Sequence, residues 1–135
     1  MYQHETRFRV RYGETDRMGY VYYGNYATYY EVGRVEALRS LGFSYRSLED
    51  SGVLVPVSDF SVRYRKPAYY DDLLVLTTYI TALAGVRLHF RYELRNEAGD
   101  LLNEAETTLV FVSKATGRPC QPPDALLLAL KKFLP

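Results

Sequence analysis

The apolar residues of this chain pass from a long run at helical spacing to a longer run at a period of two, and that passage limits the folds open to it. Tyr26, Tyr30, Gly33, Ala37 and Leu41 recur at three- and four-residue steps, with Glu31, Arg34, Glu36 and Arg39 mostly elsewhere around the cylinder. The spacing predicts one helix of about seventeen residues, roughly 25 Å long at 1.5 Å per residue. Asn25 is suited to cap its start and Gly42 to stop it in the left-handed conformation, with a short irregular segment, Phe43 to Gly52, after it. Beyond that the period is two. Phe60, Val62 and Tyr64 alternate in one strand ending near Pro67; Leu74, Leu76, Thr78 and Ile80 line a second; Leu88, Phe90, Tyr92 and Leu94 line a third. Asn96 to Asp100, with Gly99, reads as a hairpin turn into a long strand, Leu101 to Ser113.

Ahead of the helix, Phe8, Val10 and Tyr12 alternate with Arg7, Arg9 and Arg11 and predict a first strand. After a turn at Lys114 to Pro119, Pro122 and Pro123 introduce a short amphipathic helix carrying Leu126, Leu127, Leu130 and Phe133. A single helix between a first strand and an antiparallel meander has to lie across the sheet, the only apolar face long enough to cover it. The expectation is an α+β fold: one long helix wrapped by a curved antiparallel sheet of about five strands, with a short C-terminal helix, in a single domain spanning residues 1–135.

Seventeen basic and sixteen acidic residues leave a net charge of +1, too small to give the whole surface a field for nucleic acid or an anionic membrane. Any anionic partner must meet a local cluster. The single cysteine, Cys120, cannot form an internal disulfide, the first residues lack the pattern of a secretory signal, and no apolar run approaches the ~20 residues that cross a bilayer. These features point to the cytoplasm. Fourteen tyrosines and no tryptophan favour walls and interfaces where a ring is buried and its hydroxyl stays hydrogen-bonded.

Chemistry concentrates in Tyr12 to Tyr26, where Asp16 sits in a loop punctuated by Gly13, Gly19 and Gly24 just ahead of the helix. A helix start presents unpaired N–H groups and a partial positive charge, which suit a carbonyl oxygen becoming negative while a carboxylate acts nearby. Taken alone, Asp16 reads rather as a turn residue whose side chain caps backbone N–H groups.

The loop, the helix and Tyr64-Arg65-Lys66-Pro67-Ala68-Tyr69-Tyr70-Asp71-Asp72 together resemble the hotdog-fold acyl-coenzyme A thioesterases of the 4-hydroxybenzoyl-coenzyme A thioesterase type, from about Thr6 to Pro122. The most specific parts are Glu14-Thr15-Asp16 followed by Gly19, then Asn25-Tyr26, and Glu31-Val32-Gly33-Arg34. The resemblance implies a catalytic Asp16, acting as nucleophile through a mixed anhydride or as general base on water, and a carbonyl-polarising N–H at Tyr23 or Gly24. Many relatives of the bacterial acyl-coenzyme A branch carry a histidine where this chain has Tyr23. An aromatic residue there occurs in the aromatic-acyl branch, so the resemblance implies a mechanism without an imidazole beside Asp16.

It also implies substrate contacts at Gly19 and Asn25, and pocket walls from a second chain at Val57, Ser58 and Asp59, in a homodimer at minimum and a homotetramer beyond it. The basic residues Arg63, Arg65, Lys66 and Arg87 are the choice for the phosphates of coenzyme A, against the alternative of a solvated sheet face. Neither a metal nor a bound cofactor is expected, since no His, Cys or paired-carboxylate spacing suits a metal ligand set. His4, in a terminus that looks disordered, and His89, in a strand, read as bystanders, and Glu31 with Arg34 as a helix-surface ion pair. Competing expectations are a hotdog hydratase or dehydratase, a non-catalytic acyl-coenzyme A-binding module, and a protein that stacks RNA on its tyrosines.

Overall fold

The computed structural model describes residues 1–135. Five strands form one antiparallel sheet: β1 (Tyr2–Arg9), β3 (Val57–Tyr64), β4 (Leu73–Ala84), β5 (Arg87–Asn96) and β6 (Leu101–Val110), in the spatial order β1-β4-β5-β6-β3. The long helix α1 (Asn25–Ser40) packs on β1 and β4, and a short helix α3 (Asp124–Lys131) follows the last turn. This is the α+β arrangement expected, a helix laid on a meander.

Alternation decides which face is covered. Leu74, Leu76, Thr78 and Ile80 of β4, Leu88, Phe90, Tyr92 and Leu94 of β5, and Leu102, Ala105, Thr107 and Leu109 of β6 are buried; of the residues between them Asn103 is buried too, Glu106 is exposed and the rest are partly exposed. From the helix come Tyr26, Tyr29, Tyr30, Gly33, Ala37 and Leu38. Tyr30 stacks obliquely on Tyr92 with ring centroids 4.6 Å apart, a pair worth about 0.5–1.5 kcal/mol beyond its buried area. Gly33 is where helix and sheet come closest: a Cβ there would lie 2.5 Å from Leu76 Cδ2 and from Thr78 Oγ1.

Five local expectations are corrected. The first strand begins at Tyr2, because Tyr2 pairs with Ile80 and every second residue from there faces inward; His4 and Thr6 occupy two of those inward positions, which conceals the period. His4 is therefore part of a strand. That strand stops at Arg9, and Tyr12 lies exposed in a 3-10 turn, Tyr12–Glu14. The segment after Gly42 contains a helix, α2 (Tyr45–Asp50), started by Ser44, whose hydroxyl accepts from Ser47 N–H. The last strand breaks at Phe111, whose N–H goes to Val86 and whose carbonyl accepts from Cys120, so β7 (Val112–Ser113) pairs instead with β2 (Val53–Leu54). Arg34 is buried beside Tyr45 and Tyr92 rather than paired with exposed Glu31. Burial pushes the Tyr45 phenol up to about 12.

The two sheet edges differ. The inward residues of β1 are sheltered by α1 and by the segment after α3, with Phe8 against Tyr29 and Tyr2 against Phe133. On β3, by contrast, Phe60 and Tyr64 remain 44% and 54% exposed on the helix side. No helix is long and apolar enough to cross a membrane.

Candidate active site

Residues 10 to 26 leave β1, turn, loop out and return to α1, and every limb is hydrogen-bonded. Val10 N–H donates to the Asp72 carbonyl, and Glu14 caps the 3-10 turn by accepting from Arg11 N–H at 2.8 Å. The loop closes on itself through Asp16 N–H to the Tyr20 carbonyl at 2.7 Å and a bridge between Thr15 and Val21. Gly19, at φ 83°, supplies the left-handed residue this tight closure needs. Val21 N–H then reaches the Ala68 carbonyl at 2.9 Å and Tyr20 bridges Tyr69, stitching the loop to the segment that follows β3. Asp72 holds that segment in turn, its carboxylate accepting from Tyr69 N–H at 2.8 Å.

Within this frame Asp16 is half-buried, and its two oxygens are used differently. Oδ1 accepts from Met18 N–H at 2.9 Å and from Tyr20 N–H at 3.3 Å, while Oδ2 has no partner in the chain. The turn role and an available acid are thus both present in one side chain: one oxygen fixes its direction and the other is left for a ligand. Asp16, Met18, Tyr20, Val21, Tyr23, Tyr26, Tyr64, Arg65, Lys66 and Pro67 line one cleft of about 300 Å³. Four of these ten residues are tyrosines. Burial, with the neighbouring Tyr64 phenol and Asp16 carboxylate, raises the Tyr26 phenol.

The helix mouth opens at the same cleft. Tyr22 N–H is taken by the Glu14 carbonyl at 2.8 Å, Asn25 N–H by the Tyr22 carbonyl and Tyr26 N–H by the Tyr23 carbonyl; the N–H groups of Tyr23 and Gly24 meet no acceptor in the chain. Gly24 occupies the capping position expected of Asn25, with no side-chain cap bond, and Asn25 instead donates from Nδ2 to the Glu14 carbonyl at 2.8 Å. Two successive free donors at a helix N-terminus form the kind of site that holds a partly negative oxygen.

Of the basic residues singled out, Arg65 and Lys66 line the cleft, Arg65 paired to Glu104 at 3.0 Å and Lys66 to Asp100 at 3.6 Å. Arg63 lies on the opposite face of the sheet with Ser61, Arg91 and Glu106. Arg87 pairs with Val110 at the far end of β5, about 23 Å along the strand from Leu94. Val57, Ser58 and Asp59 start β3, about 17–23 Å from Tyr64 at its other end, so none reaches the cleft of its own chain. His89 bonds Thr108 Oγ1 at 3.0 Å on the outer face of the sheet, clear of the Asp16 loop.

Burial pushes the Glu14 carboxyl up, but hydrogen bonds from Arg11 N–H, the Arg11 guanidinium and the Tyr29 hydroxyl outweigh it and hold it below the usual range. The spacing of Arg11 and Glu14 was the available signal, and Tyr29, fifteen residues on, gave none.

Residues 18–103 match the family model described as the thioesterase superfamily, a span that starts two residues after Asp16 and includes the helix mouth. The chain is 36% identical over 124 residues to the acyl-CoA thioester hydrolase YbgC of Escherichia coli O6:H1, covering 92% of each chain. It is 31% identical over 123 residues to a 1,4-dihydroxy-2-naphthoyl-CoA hydrolase of Thermosynechococcus vestitus, covering 90% of this chain and 84% of the other. The crystal structure of a DHNA-CoA thioesterase from Staphylococcus aureus superposes with a TM-score of 0.94 at 34% identity, covering 98% of this chain and 91% of that one.

Proposed function

The chain belongs to the thioesterase superfamily, and from that premise we propose that it hydrolyses acyl-coenzyme A thioesters: water and thioester give a carboxylic acid and free coenzyme A thiol. One observation carries the reading. A carboxylate with one oxygen tied down and the other without a partner shares a cleft with the first turn of α1, beside two N–H groups that have no acceptor.

A thioester carbonyl lying against the Tyr23 and Gly24 N–H groups is polarised by donors already in place, and loss of one such donor typically costs about 3 kcal/mol of transition-state stabilisation. Asp16 Oδ2 then acts on the carbonyl carbon. It adds directly, expelling thiolate and leaving an anhydride that water opens, or it takes a proton from water as the oxygen attacks; the thiolate leaves and is protonated in either route. Both need the same geometry, and neither needs an imidazole. Arg65 and Lys66 at the cleft rim suit the phosphates of coenzyme A, exchanging Glu104 and Asp100 for the ligand.

Arg63 and Arg87 have no such role within their own chain. The open edge of β3 supports a homodimer. Two copies of this edge paired antiparallel about its middle would lay Val57, Ser58 and Asp59 of one chain beside Tyr64, Arg65 and Lys66 of the other, so that both chains wall each cleft. A homotetramer of two such pairs is the larger assembly in this reading. The single Cys120 suits a reducing compartment, the cytoplasm.

A thiol-release assay over short, long, branched and aromatic acyl-coenzyme A thioesters tests the reading. The native chain should release thiol from at least one class, and Asp16→Asn should lower kcat by at least about a hundredfold with substrate binding retained. Tight acyl-coenzyme A binding without thiol release would favour the binding module instead.

A further inference from the structure

Glu14 contributes more fixed contacts to the loop than any other residue in it. Its side chain is 13% exposed. Oε1 accepts from Arg11 N–H at 2.8 Å and from the Tyr29 hydroxyl at 2.9 Å; Oε2 accepts from Arg11 Nε at 3.2 Å and Nη2 at 2.9 Å. The Glu14 carbonyl accepts from Tyr22 N–H and from Asn25 Nδ2, each at 2.8 Å. One residue thus joins the exit of β1 at Arg11, the returning limb of the loop at Tyr22, and the first two turns of α1 at Asn25 and Tyr29. The seven residues between Glu14 and Tyr22 form the loop that carries Asp16, and these two residues are its stem.

From this arrangement we infer that Glu14 is a positioning residue, whose largely sheltered carboxylate locks the Asp16 loop to α1 and so sets where the acid stands relative to the Tyr23 and Gly24 N–H groups. The inference rests on the thioester-hydrolysis reading above. Tyr29 is a fixed anchor, 3% exposed and packed against Phe8 with ring centroids 4.8 Å apart. A carboxylate is the group this node requires: all four contacts are donated to it, and an amide would offer one oxygen while turning an NH2 group toward the Arg11 donors. The same spacing matters for chemistry, because displacement of a reacting group by about 1 Å can cost on the order of a hundredfold in rate.

A residue that only stabilised the fold would lower the melting temperature and leave turnover per folded molecule intact. Kinetics on the full chain, well below its melting temperature and with the acyl-coenzyme A it cleaves fastest, separate the two. Glu14→Gln should lower kcat by about ten- to a hundredfold with KM within about twofold of native. Tyr29→Phe, which keeps the Arg11 contacts and the buried ring, should show a smaller loss, about threefold, and serves if Glu14→Gln folds poorly. Combined with Asp16→Asn, neither substitution should lower the residual rate further, because the group being positioned is no longer an acid.

The inference is overturned if both variants turn over within about twofold of native while Asp16→Asn is inactive, or if their losses persist in full in the Asp16→Asn background. Native turnover by Asp16→Asn itself would instead remove the hydrolysis reading on which the inference stands.

Discussion

In its C-terminal half α1 lies flush on β4, whereas its first turn is tied to a loop. From Tyr30 to Leu38 the inward residues are buried, and Gly33 lets the helix backbone approach Leu76 and Thr78 so closely that even a methyl group has no room. At Tyr22 to Asn25 the side chains are largely exposed, no side chain caps the helix, and two N–H groups lack an acceptor. Packing holds one end and directed hydrogen bonds hold the other. The open end retains unused hydrogen-bonding capacity, which is what a site needs, and the sealed end supplies the rigidity that keeps it in place.

Substitutions at the two ends should therefore fail in different ways. The largest effect is expected at the open end: Asp16→Asn should remove at least about a hundredfold of kcat, close to 3 kcal/mol, while calorimetry shows a melting temperature within about one degree of native. A large drop in melting temperature would mean that Asp16 holds the fold as Gly33 does, and the contrast would collapse. At the sealed end Gly33→Ala should do the opposite. Overpacking costs about 1–3 kcal/mol, more than the up to about 1 kcal/mol gained in helix propensity, so thermal unfolding should shift down by several degrees with kcat per folded molecule preserved.

Acid should loosen the open end first. The folded-state pKa of Glu14 is depressed, so the stability it contributes is fully present above the ordinary glutamate value of about 4.3 and is lost as pH falls through the lower folded value. Denaturant titrations between pH 6 and 3 should show native stability falling more steeply than that of Glu14→Gln, and parallel curves would contradict the clamp. The smallest effect belongs to Tyr23→Phe. Its ring is 66% exposed against Tyr22, and if the backbone N–H alone contributes, kcat should stay within about twofold. A large loss would bring the hydroxyl into the chemistry.

The two ends also differ in how far the sequence discloses them. Packing against a sheet imposes a period, so Tyr26, Tyr30, Gly33 and Ala37, the inward residues of β4 and β5, and the Gly42 stop at φ 92° were legible in order and nearly in extent. Period fails where inward positions are polar: His4 and Thr6 concealed the start of β1, and inward Arg34 read as a surface residue. It fails also where a single residue turns the chain, as Phe111 does between β6 and β7. The Asp16 loop was legible as a motif, but its bonding was not. Side chain to backbone contacts such as Asn25 to Glu14, and long-range ones such as Tyr29 to Glu14, leave no periodic trace. Sequence proximity likewise grouped Arg63 with Arg65, although Arg63 lies on the outer face of the sheet and Arg65, past the end of β3, lines the cleft with Lys66.

The most direct test of the central relation is a crystal structure of Asp16→Asn with an uncleaved acyl-coenzyme A bound. The thioester oxygen should lie about 2.7–3.1 Å from the Tyr23 or Gly24 nitrogen, with the side chain at position 16 about 3–3.5 Å from the carbonyl carbon. A thioester seated elsewhere, or one whose carbonyl faces away from the start of α1, would contradict the account.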